Sequence, residues 1–185
     1  MSNLAGKLLI STPELLMDHI FNQSVILLSE SEQQENENMG FIINKPLPIR
    51  LHDVFKDIPL NIQIWNGGPV DTSNLFYIHN KPELIKQSIL FNKKQQLYLG
   101  GDFELIKQLL IDKVINEHNI KFFLGYTGWG KQQLIDEISE KSWFVSENDL
   151  NLLKLNPREV WKKKMIDIDP KNIIWKNAPL NPHLN

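Results

Sequence analysis

The segment with the most explicit chemical spelling is Gly125-Tyr-Thr-Gly-Trp-Gly130-Lys131, which reads G-x-x-x-x-G-K between an apolar run and an amphipathic stretch. In a phosphate-binding loop the glycines let successive backbone N–H groups wrap an anion, the lysine reaches the outer phosphates, and a following Ser or Thr holds magnesium. Here Gln132 follows the lysine, and Tyr126 and Trp129 are bulky inside the part that would have to wrap the phosphate. These residues argue against a nucleoside triphosphate site. They read better as a sharp strand-to-helix turn in which Trp129 packs, with free N–H groups at the helix start still able to hold some anion.

The five histidines, at 19, 52, 79, 118 and 183, never stand one, three or four residues apart, so no single element presents two imidazoles to one metal. No metal and no cofactor are expected. His79 closes the apolar run Phe76-Tyr-Ile-His beside Asn80 and is the best placed of the five for a site whose ligands the fold would gather, a structural or surface histidine being the plainer reading. His52 with Asp53 and Asp57 reads as a solvated helix-end cluster. Cysteine is absent, which excludes thiol catalysis and cysteine zinc sites, and no serine stands in G-x-S-x-G. Gly67-Gly-Pro-Val and Gly100-Gly101 are turn chemistry first and ligand contacts second. Asp136, Glu137 and Glu140 form an acidic helix face on which Glu137 and Lys141 can pair at i,i+4. The one basic run, Lys162-Lys-Lys beside Trp161, complements a helix end more readily than it grips nucleic acid.

These residues must be positioned by a chain of 185 residues with 42% hydrophobic and 23% charged residues, a composition that suits one soluble domain with its own core. Net charge is −2 and the only arginines are Arg50 and Arg158, so nothing draws the chain to nucleic acid or to an anionic membrane. No apolar run is long enough for a signal peptide or a membrane span, and the cytoplasm is the expected compartment.

Strands are expected at Lys7–Ser11, Ser24–Ser29 and Met39–Asn44, the last two as a hairpin across the acidic 31–38 segment, with a short helix between Pro13 and Asn22. Ile62–Trp65 and Asn74–His79 suggest another strand pair, and Ser88–Phe91 with Gln96–Gly101 a third. A helix capped by Asp102 should run to about Glu117 with Phe103, Ile106, Leu109, Leu110 and Val114 on one face. A strand at Ile120–Gly125, a helix from Gly130 to Lys141, a strand at Ser142–Ser146 and a helix from Pro157 to about Ile166 follow, and Asp169–Asn185 reads as an irregular strap. Many strands joined by short turns, with about three late helices, indicate an α+β domain over 1–185 with a largely antiparallel sheet.

Five pieces in series, Gly6-Lys-Leu-Leu-Ile-Ser-Thr-Pro, Met39-Gly-Phe-Ile-Ile-Asn-Lys-Pro-Leu, Gly67-Gly-Pro-Val, Phe76-Tyr-Ile-His79 and Gly125-Tyr-Thr-Gly-Trp-Gly with Gln133-Leu134 and Trp143, resemble the YqgE/AlgH family in order and spacing over nearly the whole chain. The resemblance implies a bacterial, cytoplasmic protein with a bent sheet tending toward a barrel and helices around it. It also implies a family often labelled transcriptional regulators but without an established biochemical activity. The family pattern has Pro then Gly where Lys131 and Gln132 stand, so the lysine of the phosphate-loop spelling is particular to this chain. A shared site would be sought among Asn44, Gly67, Gly68, His79, Gly128, Trp129 and Gln133, with no chemical step assigned to any of them. The leading expectation is a non-catalytic regulatory or binding protein acting through a small ligand or a protein partner. The alternatives are an enzyme using His79 with the helix-end anion site, and a regulator that binds DNA directly through the Lys162 run, which the charge and the lack of a helix-turn-helix disfavour.

Overall fold

Short runs of Leu, Ile, Val and Phe make ten strands, and these join into a single curled sheet resembling half a barrel in the computed structural model, which describes residues 3–30 and 37–178. In chain order the strands are β1 (Leu8–Ser11), β2 (Val25–Leu28), β3 (Glu37–Ile42), β4 (Pro46–Arg50), β5 (Gln63–Asn66), β6 (Val70–His79), β7 (Ser88–Asn92), β8 (Leu97–Gly100), β9 (Ile120–Gly130) and β10 (Trp143–Ser146). The helices are α1 (Leu51–Val54), α2 (Phe103–Ile111), α3 (Lys131–Ser139) and α4 (Pro157–Ile168). The sheet order is β10-β1-β2-β3-β9-β6-β8-β7, with β5 beside β9 and β4 on β5. Every pairing is antiparallel except β5 with β9.

Strand β9 is the spine. Its first half lies between β5 and β6, Phe123 being opposite both Trp65 and Phe76, and its second half pairs with β3, Gly40 opposite Thr127. Because side chains alternate along a strand, each apolar run supplies two faces. Leu8, Ile10, Val25, Leu27, Phe41, Ile78 and Phe123 point into the half-barrel, where α4 adds Val160, Trp161 and Met165. The intervening Leu9, Ile26, Leu28 and Ile42 face outward under Leu134 of α3, and Ile64 and Phe122 under Ile106 and Leu110 of α2. Each fully buried side chain of this kind contributes about 1.5–3 kcal/mol, so the sheet is sandwiched by apolar contact on both faces.

The expected β2–β3 and β7–β8 hairpins, α3, β10 and α4 are present. Other expectations need correction. Asp102 caps α2 by accepting from the Glu104 and Leu105 N–H groups, but the helix ends at Ile111 and Lys113 adopts a left-handed φ of 55°. Val114 is therefore 55% exposed, and Ile115 takes the core position. Only a 3-10 turn at Pro13–Leu15 forms in the Pro13–Asn22 segment. Strands β5 and β6 do not pair with each other; they flank β9 on opposite sides. Strand β4 has no counterpart in the sequence reading, because Pro46 and Pro48 argue against a strand; β4 pairs with β5 only, where a missing N–H costs little, and α1 carries the His52 and Asp53 read as a helix-end cluster. A 3-10 segment, Pro170–Asn177, begins the C-terminal strap, whose residues 179–185, with His183, lie outside the described residues.

Candidate functional site

The G-x-x-x-x-G-K segment is not a loop. Residues 125–130 are the continuous end of β9: Tyr126 pairs with Val70 of β6, and 127–130 pair with β3, Met39 facing Gly128 and Asn38 facing Trp129. Helix α3 starts at once with Lys131, so no loop wraps a central anion; the start of the helix carries no side-chain cap.

The seven residues singled out by sequence fall in separate places. Asn44 extends the β2–β3 ladder: its Oδ1 accepts from the Val25 N–H at 2.8 Å and its Nδ2 donates to the Gln23 carbonyl at 2.9 Å. Gly67 and Gly68 let the loop after β5 lie backbone to backbone on β9, the Gly67 N–H donating to the Leu124 carbonyl at 2.8 Å. Gly128 is exposed on β9. His79 lies opposite Ile120, nine residues along β9 from Trp129, or about 30 Å at the usual rise per residue. It is fully buried against Tyr98. Its Nδ1 accepts from the Lys81 N–H at 3.1 Å, so the proton sits on Nε2, 3.1 Å from the Gly100 carbonyl that accepts it. Burial pushes its pKa below the usual histidine value. Both ring nitrogens are occupied, and the geometry is that of a neutral core histidine.

Trp129 and Gln133 meet on a residue that the sequence reading placed on a solvated face. Glu137 Oε2 accepts from the indole N–H groups of Trp129 and Trp143, each at 2.8 Å, and Oε1 accepts from Gln133 Nε2 at 3.0 Å. The carboxylate thus holds two tryptophans of the outer core, with Phe21 packed against both rings, in place of pairing with Lys141. Removing it leaves two buried donors unpaired, at about 1–3 kcal/mol each. Urea denaturation of Glu137→Ala should show a loss of about 3 kcal/mol, and of Glu137→Gln about half that, because the amide oxygen still accepts. Equal stability of Glu137→Ala and the parent chain would contradict this role. The lysine run is likewise divided: Lys164 is buried and pairs with Asp149, so Lys162, Lys163 and Lys164 do not share one face.

An open cleft of about 460 Å³ lies elsewhere, at the mouth of the half-barrel where β4, β5 and the start of β9 meet the 152–155 segment. Its key group is Lys121. On β9 this residue shares a face with Phe123, so the pleat sends its side chain toward the interior, where it is 6% exposed. The Nζ stands 3.7 Å over the Trp65 ring and donates to the Leu152 carbonyl at 3.3 Å. Among the described residues no carboxylate pairs with it. Burial without a counter-ion lowers its pKa from the usual lysine value to about 7. Arg50, Lys154, His118 and Glu117 line the same cleft, and Ile62, Ile120 and Leu155 supply apolar wall. Arg50 and Lys154 against the one carboxylate of Glu117 leave this a positive cleft on a chain of net charge −2, before the charge of Lys121 is counted. The sequence did carry a sign of it: a single lysine inside Ile120-Lys-Phe-Phe-Leu, in register with a core phenylalanine.

Known proteins resemble the chain from end to end. The AlgH-like family model, DUF179, matches residues 8–172. A UPF0301 protein of Bacteroides fragilis, BF2109, is 39% identical over 183 residues, covering 97% of this chain and 90% of its own. A UPF0301 protein of Cytophaga hutchinsonii is 33% identical over 97% of this chain and 98% of its own. The solution structure of the AlgH protein from Pseudomonas aeruginosa superposes with a TM-score of 0.72 over 97% of both chains, at 24% identity, which speaks for a shared fold. With the curled half-barrel, the match along β1 to the C-terminal 3-10 segment and these relatives in agreement, the chain belongs to the AlgH-like family.

Proposed function

We propose that this is a cytoplasmic, non-catalytic binding protein that exerts a regulatory effect by capturing a small anionic ligand in the Lys121 cleft. The observation that carries the reading is the buried amine of Lys121, which has no carboxylate partner among the described residues and lines an open cavity together with Arg50 and Lys154. A perturbed cation in a partly apolar cleft is the usual mark of a ligand site, since folding alone would favour an apolar residue there. Trp65 and the aliphatic wall suit a ligand with a planar or apolar body. The bonded ring of His79 and the ladder-bound 125–130 segment lend no support to an enzyme built on those two features. No helix among the described residues is long and apolar enough to cross a membrane.

The test is calorimetric or thermal-shift titration with small carboxylates and phosphates at pH 6.5 and 8.5. Lys121 binds an anion best when protonated, so affinity should fall as pH rises through about 7, by on the order of ten- to thirty-fold across this interval. His118→Gln separates any contribution of the neighbouring imidazole, and Lys121→Met should abolish the pH dependence and most of the affinity. A ligand whose binding survives Lys121→Met unchanged would move the site elsewhere.

A further inference from the structure

We propose that the Lys121 amine is a nucleophile that captures the carbonyl carbon of a small 2-oxo acid as an imine, an inference that rests on the reading of the cleft as an anion site. Three observations converge on it. Lys121 lines the cavity, and its Nζ is held by a single neutral acceptor, the Leu152 carbonyl, and by the Trp65 ring face, with no carboxylate among the described residues to fix it in the charged form. Its surroundings are mostly apolar, with Trp65, Ile62, Ile120 and Leu155 lining the cleft, and desolvation in such a pocket is how proteins keep a lysine amine reactive near neutrality. Arg50 and Lys154 line the same cavity and supply cations for a carboxylate attached to the reacting carbonyl. An amine nucleophile in one cleft with two cations able to hold a carboxylate would select carbonyl acids from the wider class of anions.

The chemistry balances without any oxidant or reductant. The Nζ lone pair attacks the carbonyl carbon and forms a C–N bond, while the C=O π pair moves to oxygen, which takes up a proton; nitrogen then loses one proton, giving a carbinolamine. The hydroxyl leaves as water after a second proton transfer, and the remaining nitrogen proton departs as C=N forms. Amine plus ketone yields imine plus water. The other titratable groups that line the cleft are His118 from the loop before β9, with its Nε2 4.0 Å from Glu117 Oε1, and Glu117 itself. Either can exchange the protons the two steps require. The fixed charges are Arg50 at the end of β4 and Lys154 in the 152–155 segment.

A second lysine provides an internal control. Lys45 is also lowered, to about 8, but its Nζ donates to the Ile20 carbonyl at 2.5 Å and the charge of Asp18 favours its protonated form. Pyruvate with sodium cyanoborohydride at pH 7.5, followed by peptide mapping that sets aside the α-amino group, should give one reduced lysine adduct, at Lys121. Labelling there should run on the order of 100-fold faster than at exposed lysines, which are almost wholly protonated at that pH, and faster than at Lys45. Lys121→Arg should lose the adduct yet keep pyruvate binding by calorimetry, because it keeps the charge and removes the nucleophile; if Arg is too large for the fold, Lys121→Met serves for the labelling arm. Binding of pyruvate with Lys121 unlabelled would overturn the imine and leave the anion site standing. Labelling spread over Lys45 and surface lysines would overturn it equally. If pyruvate neither binds nor labels while another anion binds in a Lys121-dependent way, the imine proposal falls alone; if no anion binds, both readings fall.

Discussion

Lys121→Met should make the protein more stable at pH 6.5 and should lose that advantage by pH 9.5. The reasoning starts from burial: lowering a lysine pKa from 10.5 to about 7 means that holding its charge in the fold costs on the order of 4–5 kcal/mol below pH 7. The Trp65 face offsets up to about 2 kcal/mol of this, and loss of the hydrogen bond to the Leu152 carbonyl about 1 more, leaving a net gain of about 2 kcal/mol for methionine. The sign with pH follows from proton counting. Between pH 7 and 10.5 the unfolded chain keeps the Lys121 proton and the folded chain has lost it, so the parent grows more stable relative to its unfolded state as pH rises. Methionine has no such dependence, and the two stability curves should converge and then cross. Urea midpoints at the two pH values decide the matter: a methionine variant that is less stable at pH 6.5, or whose advantage does not change with pH, would show that Lys121 is held in the fold by something other than the cleft geometry described above. A residue that weakens the fold where a methionine would strengthen it is the expected signature of a site kept for ligand chemistry.

Gly67→Ala should be severely destabilising, by about 3 kcal/mol or more, which for a chain of this size lowers the thermal midpoint by roughly 6–12 °C. A Cβ at Gly67 would stand 2.1 Å from the Gly125 carbonyl oxygen and 3.0 Å from Phe123 Cβ. Neither neighbour can swing away, because Phe123 is in the core and the Gly67 N–H and carbonyl are bonded to Leu124 and Ile42. The whole loop would have to lift off β9, opening the junction where β3 and β5 share that strand. Gly128→Ala is the control, since its Cβ would meet nothing nearer than the edge of the Tyr126 ring at 3.3 Å and the position is exposed. Differential scanning calorimetry of the two variants should separate them clearly, and equal midpoints would refute the close-packing account. The same geometry explains why Gly67-Gly68, read from sequence as a turn first, also counts there as a candidate ligand contact: a glycine needed for backbone approach looks identical whether the approaching backbone is the protein's own or a ligand stands there.

Local features were legible wherever the physics is local. Asp102 could be read as a cap because an Asx side chain reaches only the next few N–H groups, and Pro157 as a helix start because its missing donor is one that a helix end does not use. The apolar runs at Leu8–Ile10 and Val25–Leu28 had to be buried strands on composition alone. The partner of β6 was not legible, because Ile62–Trp65 is nearer in sequence than β9 and nothing local reports that β9 is long enough to lie between them. Helix α2 was read too long for a related reason: Val114 continues the helical period, but the turn at Lys113 is set by Ile115 packing beneath the sheet.

The candidate site divides along the same line. Sequence by itself determined the α+β class with its antiparallel strands, the family and the absence of any one-element metal or nucleophile motif, since each of these depends on residue types at short spacing. Only the tertiary structure decided that Glu137 serves two indoles, that His79 is fully bonded, and that Lys121 lines an open cleft with no carboxylate partner among the described residues. The physical reason is desolvation. Whether a charged side chain is an ordinary surface group or a reactive one depends on what excludes water from it, and around Lys121 that is done by Trp65 and Leu152, 56 residues before it and 31 after it, brought together by the closure of the half-barrel.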